Sequence, residues 1–353
     1  MNTLHRCGIL LAALFVASPA IGWAKNDSAK DNNVLDRLER LEAIVTDLRQ
    51  ANARQEAEIA RLRNRAHRLG DDLATVLGNP VLALGPYVSL RTDTINLVRG
   101  PHVIFEGVNV HVRSGSGSTL DGVDVHDAAN WPAGSPNGLG NLIVGYDEVS
   151  TTAVTARTGS HCLVVGIGNS FTTSGGVVFG TDNTAGALFA SVTGGSGNIA
   201  NGMGSTIAGG AANTTTSDAW QISIAGGANN VASGWASSIG GGFHNVTGPN
   251  GCQHICGGQH NTAEAWASCV TGGWDNHALG NYSSVTGGQN NIASETAAVV
   301  TGGTENQAQG WASSVTGGRQ NTAIANGSTV SGGESRAATG DSNWVAGSLI
   351  EAQ

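Results

Sequence analysis

Ser284-Val285-Thr286-Gly287-Gly288-Gln289-Asn290-Asn291-Ile292-Ala293 returns fifteen residues later as Val299-Val300-Thr301-Gly302-Gly303-Thr304-Glu305-Asn306-Gln307-Ala308. It returns again as Ser314-Val315-Thr316-Gly317-Gly318-Arg319-Gln320-Asn321-Thr322-Ala323. Reading outward, glycine pairs begin at Gly194, Gly209, Gly226, Gly241, Gly257, Gly272, Gly287, Gly302, Gly317 and Gly332, spaced 15, 17, 15, 16 and then 15 five times. An asparagine stands four residues past each first glycine through Gly317: Asn198, Asn213, Asn230, Asn245, Asn261, Asn276, Asn291, Asn306 and Asn321. A fixed period this short predicts a solenoid in which each copy makes one turn.

The local chemistry agrees with that reading. In Ser-Val-Thr the middle residue points one way and its neighbours the other, by the two-residue period of a strand. The glycines supply the positive φ a tight corner needs. The asparagine amide can cap the corner and bond from coil to coil. Ala263, Ala278, Ala293, Ala308, Ala323 and Ala338 suit a cramped interior. One valine and one or two alanines per turn make a thin core, so further burial is expected from other subunits. Weaker copies ending at Gly145, Gly166 and Gly180 place the start near residue 140, with one coil enlarged between Tyr146 and Ser160. Thirteen or so coils would make a rod of roughly 60 Å.

Five regions are expected. Residues 1–24, with Arg6 ahead of the apolar run Ile9 to Val16, read as a secretion signal whose loss would remove Cys7. Residues 25–33 are polar and expected to be disordered. Residues 34–76 carry six heptads, with Leu38, Val45, Asn52, Ile59, Ala66 and Leu73 at a. Val34, Leu41, Leu48, Gln55, Leu62, Leu69 and Val76 occupy d, and this pattern predicts a coiled-coil stalk. β-branched residues at a lean towards two strands, whereas the thin solenoid core argues for three; three are expected. Residues 77–139 read as a β-rich neck, with strands clearest at His102 to Glu106 and Val108 to Arg113 and a loop from Asn130. Residues 140–353 form the repeat region. No stretch of the mature chain is apolar and long enough to span a bilayer as a helix, and no C-terminal membrane barrel is expected.

The chain carries 17 Lys and Arg against 26 Asp and Glu. From Ser191 onwards only Arg319 and Arg336 are basic, so nothing can track a phosphate backbone and nucleic acid is not an expected partner. Sulfated chains are disfavoured for the same reason.

Three surface features could carry function. Cys252, His254 and Cys256 alternate along one strand, and His254 aligns with Cys269 in the next coil. A disulfide, a Cys/His metal site and neutral replacement of Ser and Thr all fit these residues. Trp235, Trp266 and Trp311 each fall nine residues past a glycine-pair start, with Trp220 and Trp344 off that column. They could pack against a neighbouring chain or stack sugar rings. Ser and Thr columns (Ser191 and Thr193, Ser284 and Thr286, Ser314 and Thr316) suit either an ordinary polar strand face or an ice-ordering one. No nucleophile–base–acid arrangement and no converging carboxylate pair is visible, so an enzyme is not expected and no cofactor is called for.

Copies such as Trp311-Ala-Ser-Ser-Val-Thr-Gly-Gly-Arg-Gln-Asn-Thr-Ala resemble the head repeats of trimeric autotransporter adhesins. The resemblance covers residues 140–347 by repeat and 34–76 by stalk type. It implies a left-handed parallel β-roll, three chains side by side, joined to a coiled-coil stalk. The order of parts differs, because here the stalk precedes the roll. The expected fold is therefore an all-β solenoid of ~15-residue coils, trimeric, behind an N-terminal coiled coil. The expected role is that of a secreted or surface-exposed adhesin meeting a surface, matrix or glycan ligand, with ice or glycan binding as the alternative.

Overall fold

The computed structural model describes residues 28–120, 136–146, 148–150, 155–217, 220–347 and 349–351. The expected secretion signal, and most of the loop expected at 130–138, lie outside these residues. The chain divides into two units after Asn109, inside the stretch expected to be a neck.

The first unit is built on one α-helix, Ser28–Leu77. Leu, Ala and Arg dominate its sequence and it contains no proline, so little opposes helix propagation. It begins inside the stretch 25–33 expected to be disordered and runs through Gly70 without a break. Gly78 and Asn79 end it, and the Val81 N–H donates to Asn79 Oδ1 at 3.0 Å as a short 3-10 turn, Pro80–Leu84, begins. Among the described residues of this unit nothing covers the helix's apolar residues: Leu38, Leu41, Val45, Leu48, Ile59, Leu62, Leu69 and Leu73 are 43–59% exposed.

Beyond the turn, Val88–Arg91 pairs antiparallel with His102–Phe105, Val88 opposite Phe105 and Arg91 opposite His102. The Arg91 guanidinium donates to both carboxylate oxygens of Asp93, at 3.1 and 2.8 Å. The second expected strand, Val108 to Arg113, does not form. Its alternation of valines finds no partner strand, and Val108, Val110 and Val112 stay exposed.

The second unit is a parallel β-solenoid of about 12 turns. Each regular turn contributes one strand to each of two sheets, of fifteen and twelve strands. The first sheet opens with Leu142–Val144, Leu163–Ile167 and Val177–Thr181 and continues in two-residue strands such as Ser284–Val285. It closes on Trp344–Ala346, against which Leu349–Glu351 pairs antiparallel. The second sheet runs from Ser170–Phe171 to Ala337–Ala338. Register is constant: Ser284 pairs with Val299 and Val299 with Ser314, while Ile292 pairs with Gln307. The step from Leu142 to Leu163 is the enlarged coil. A third line of parallel bridges runs along the residue after each glycine pair, as in Gln289 to Thr304 to Arg319.

The core lies between the two sheets. Val285, Val300 and Val315 come from the first and Ala293, Ala308 and Ala323 from the second, all at 0% exposure. Ser283 and Ser313 and the repeat asparagines are buried with them. Where threonine replaces alanine, its hydroxyl is bonded: Thr215 Oγ1 donates to Ser205 Oγ at 2.9 Å and Thr247 Oγ1 to Ser233 O at 3.0 Å. So narrow an interior rests as much on hydrogen bonding as on apolar burial.

Candidate functional site

The turns whose glycine pairs begin at Gly194 through Gly317 each have a corner built from that pair and an asparagine. At Asn291, Nδ2 donates to the carbonyl of Gly287 in its own turn and of Gly303 in the next, both at 2.9 Å. Its Oδ1 accepts the backbone N–H of Asn306 at 3.0 Å. The same set recurs at Asn261, Asn276, Asn306 and Asn321. Asn198 and Asn230 follow it with one further bond from each Nδ2 to the preceding asparagine's Oδ1. Arg336 takes the asparagine's place in the last turn. Its N–H donates to Asn321 Oδ1 at 2.9 Å, and its buried Nε has no partner.

The two glycines of a pair are not equivalent. Gly288 has φ +90°, and a Cβ there would stand 2.2 Å from Gly303 O and 2.6 Å from Asn291 Nδ2. A Cβ on Gly287 would meet nothing within 4 Å, and the same holds for Gly209, Gly226, Gly257, Gly272, Gly302 and Gly317. At Gly194 it would make only an ordinary contact, 3.6 Å from Ala208 O, and at Gly241 one of 4.0 Å. The left-handed corner therefore falls on the second glycine; of the first glycines only Gly241 (φ +154°) and Gly332 (φ +140°) also take a positive φ, and at the others nothing among the described residues calls for glycine.

A ridge of tryptophans marks another corner. Trp235 and Trp266 are exposed and nearly parallel, with ring centroids 6.3 Å apart and planes 15° apart. Gly251 lies between them on the coil ladder, its carbonyl accepting from Ala267 N while its neighbour Cys252 donates to Trp235 O. A Cβ on Gly251 would sit 3.2 Å from the Trp266 ring. Contrary to the spacing argument, Trp220 belongs to this ridge, because its carbonyl accepts from Ala236 N as that of Trp235 does from Cys252 N. Two extra residues in the 17-residue coil displace it in sequence but not in space. Trp311 stands apart, between Thr296 and Asn326 on the same ladder. Trp344 lies in the first sheet beside Thr329, and its Nε1 donates to Ser331 Oγ at 2.6 Å.

The outward column of the first sheet reads Ser223, Ser238, His254, Cys269, Ser284, Val299, Ser314, Thr329 in register. Two residues further along the strands, Thr271, Thr286, Thr301 and Thr316 are exposed on four successive turns. Cys162, Cys252, Cys256 and Cys269 are all free thiols. Among the described residues no group of three or more His, Cys, Asp or Glu is placed to hold a metal ion. His254 is instead bonded on both ring nitrogens, Nδ1 to Ser238 Oγ at 2.6 Å and Nε2 to Cys256 Sγ at 3.2 Å. Burial pushes the Cys269 thiol pKa up, and the neighbouring Cys256 adds to the rise.

Sequence reasoning missed a histidine pair. His244 and His260 stack at 5.1 Å with planes 4° apart, and Asp275, next on that ladder, pairs with His277 at 3.1 Å. The recurrence of Gly-Gly-Phe-His and Gly-Gly-Gln-His was the available signal. No family model matches the chain, and no curated protein matches it. Among the described residues, no helix is long and apolar enough to cross a membrane.

Proposed function

We propose that this chain is a secreted or surface-exposed, non-enzymatic structural and binding protein, adhesin-like, in which three copies join through a coiled-coil stalk and present β-roll heads. The observation that carries this reading is the uncovered helix seam. Eight large apolar residues repeat at heptad spacing, 43–59% exposed, on a helix that no other described residue of its unit covers. An apolar stripe of that length in water calls for a partner helix, and the heptad register makes a second copy of itself the fitting one. The open column at the first glycines adds support, since backbone without Cβ on successive turns permits close approach of another chain. The decisive measurement is the mass of the full chain in solution by light scattering, with and without reductant. Three chains in both conditions supports the proposal; a monomer removes it.

The tryptophan ridge favours a second reading, in which the head binds glycans. Three exposed indoles within four successive turns offer apolar faces and N–H donors of the kind sugars use. A glycan array probed with the full chain and with a Trp220, Trp235, Trp266 triple alanine variant tests it. Equal signals from both would dismiss the ridge as a sugar site.

A further inference from the structure

We infer that Cys256 is a base-assisted thiol, served by His254 and oriented through Ser238, that exchanges with low-molecular-mass disulfides at the solenoid surface. Two successive turns of the coil assemble the group. Ser238 and His254 are register partners on adjacent strands of the first sheet. Cys256 lies two residues past His254, so both side chains leave the same face of the strand. The hydrogen bonds then run in one line, from Ser238 Oγ to His254 Nδ1 and from His254 Nε2 to Cys256 Sγ. With its proton on Nδ1, the imidazole donates to the serine oxygen and turns the Nε2 lone pair to the thiol. That is the relation of nucleophile, base and orienting group. Both Cys256 and His254 are exposed, so an electrophile can reach the sulfur.

The geometry also says where the partner sulfur must come from. His254 pairs with Cys269 and Ile255 with Val270, which leaves Cys256 and Cys269 on a diagonal across the two strands. Diagonal neighbours in a sheet stand roughly 7–8 Å apart, beyond what a disulfide spans without backbone movement. Cys252 is four residues back along the chain, at a corner with φ +57°. Cys252 and Cys269 are both free thiols, unpaired with Cys256, and the second sulfur in this inference is external. In the exchange, His254 Nε2 takes the Cys256 proton and the thiolate sulfur attacks one sulfur of the small disulfide. The S–S bond of the small molecule breaks as a new bond to Cys256 Sγ forms. The released thiolate takes up the proton, and one small thiol departs. Cys269, more buried and with its pKa raised, is the slower thiol on the same face.

The test is native-state incubation of the full chain with oxidised glutathione, followed by peptide mapping of the adduct over time. Cys256 is expected to load first, ahead of Cys252 and Cys269 by about tenfold or more in rate. His254→Ser, which installs the side chain that Ser238 and Ser284 already place in this column, should remove that advantage without disturbing the fold. Ser238→Ala keeps the imidazole but frees it to turn, and should give an intermediate rate. First loading at Cys252 or Cys269, or an unchanged Cys256 rate in both variants, would overturn the inference.

Discussion

The backbone N–H of Asn291 donates to the side-chain oxygen of Asn276 in the preceding turn at 3.1 Å, joining two residues fifteen apart in sequence through one buried amide. Each asparagine thus satisfies a backbone donor in the next turn and backbone acceptors in two turns at once. Alanine at 291 would orphan the Asn306 N–H and the Gly287 carbonyl, while Gly303 O keeps the Gln289 N–H, at a cost on the order of 1–3 kcal/mol per unpaired group. Aspartate keeps the shape but turns a carboxylate oxygen on the carbonyls of Gly287 and Gly303. Asn291→Asp should therefore lower the thermal midpoint at neutral pH at least as much as Asn291→Ala. A midpoint unmoved by either change would show that the column does not hold the turns together.

The glycine pair offers a sharper contrast. Gly288→Ala drives a methyl into the Gly303 carbonyl at a left-handed φ, and should unfold the turns around it. Gly287→Ala meets open space within the chain and should leave the secondary structure of the head intact by circular dichroism. Its effect is expected on self-association, read as a lower mass in light scattering on dilution. If Gly287→Ala alters neither fold nor association, the open column has no role as an interface.

The period, the alternation and the asparagine positions could be read from the sequence because each is a local rule repeated many times. Val285 buried and Ser284 outward follow from strand periodicity alone. The difference between Gly287 and Gly288 could not be read, since it depends on how closely the carbonyl of Gly303 approaches from the next turn. Trp220 was misplaced for a related reason: counting from the glycine pair assumes fixed coil length, and the 17-residue coil absorbs its two extra residues before the corner. The Ser238–His254–Cys256 line was half visible. Alternation put His254 and Cys256 on one face, but Ser238 is sixteen residues from His254 and joins only through the register of two parallel strands.

Cys162 links stability to alkaline pH. It is 3% exposed, its thiol donates to Ser160 O at 3.4 Å and Thr173 O at 3.3 Å, and burial pushes its pKa above the ordinary 9.0. The unfolded chain therefore loses this proton first as pH rises. The stabilising contribution is complete below pH 9.0 and disappears as pH climbs through the folded pKa. Urea unfolding across this range should show Cys162→Ala, though less stable throughout, losing stability with a slope shallower by up to about 1.4 kcal/mol per pH unit. Parallel slopes for the two proteins would mean that the thiol ionises alike in both states.

Asn52 tests the stalk. It falls at an a position amid Leu38, Val45 and Ile59, and Gln55 follows at the next d, so a self-associated helix would bury a polar layer there. Such a layer lowers stability while fixing register and chain number. Asn52→Ile should raise the temperature at which helical signal is lost and, at the same time, broaden the mass distribution seen by light scattering. Both changes follow only if this face of the helix packs against copies of itself. An isolated helix would gain no thermal stability from the substitution, and its exposed seam would become stickier without any defined assembly.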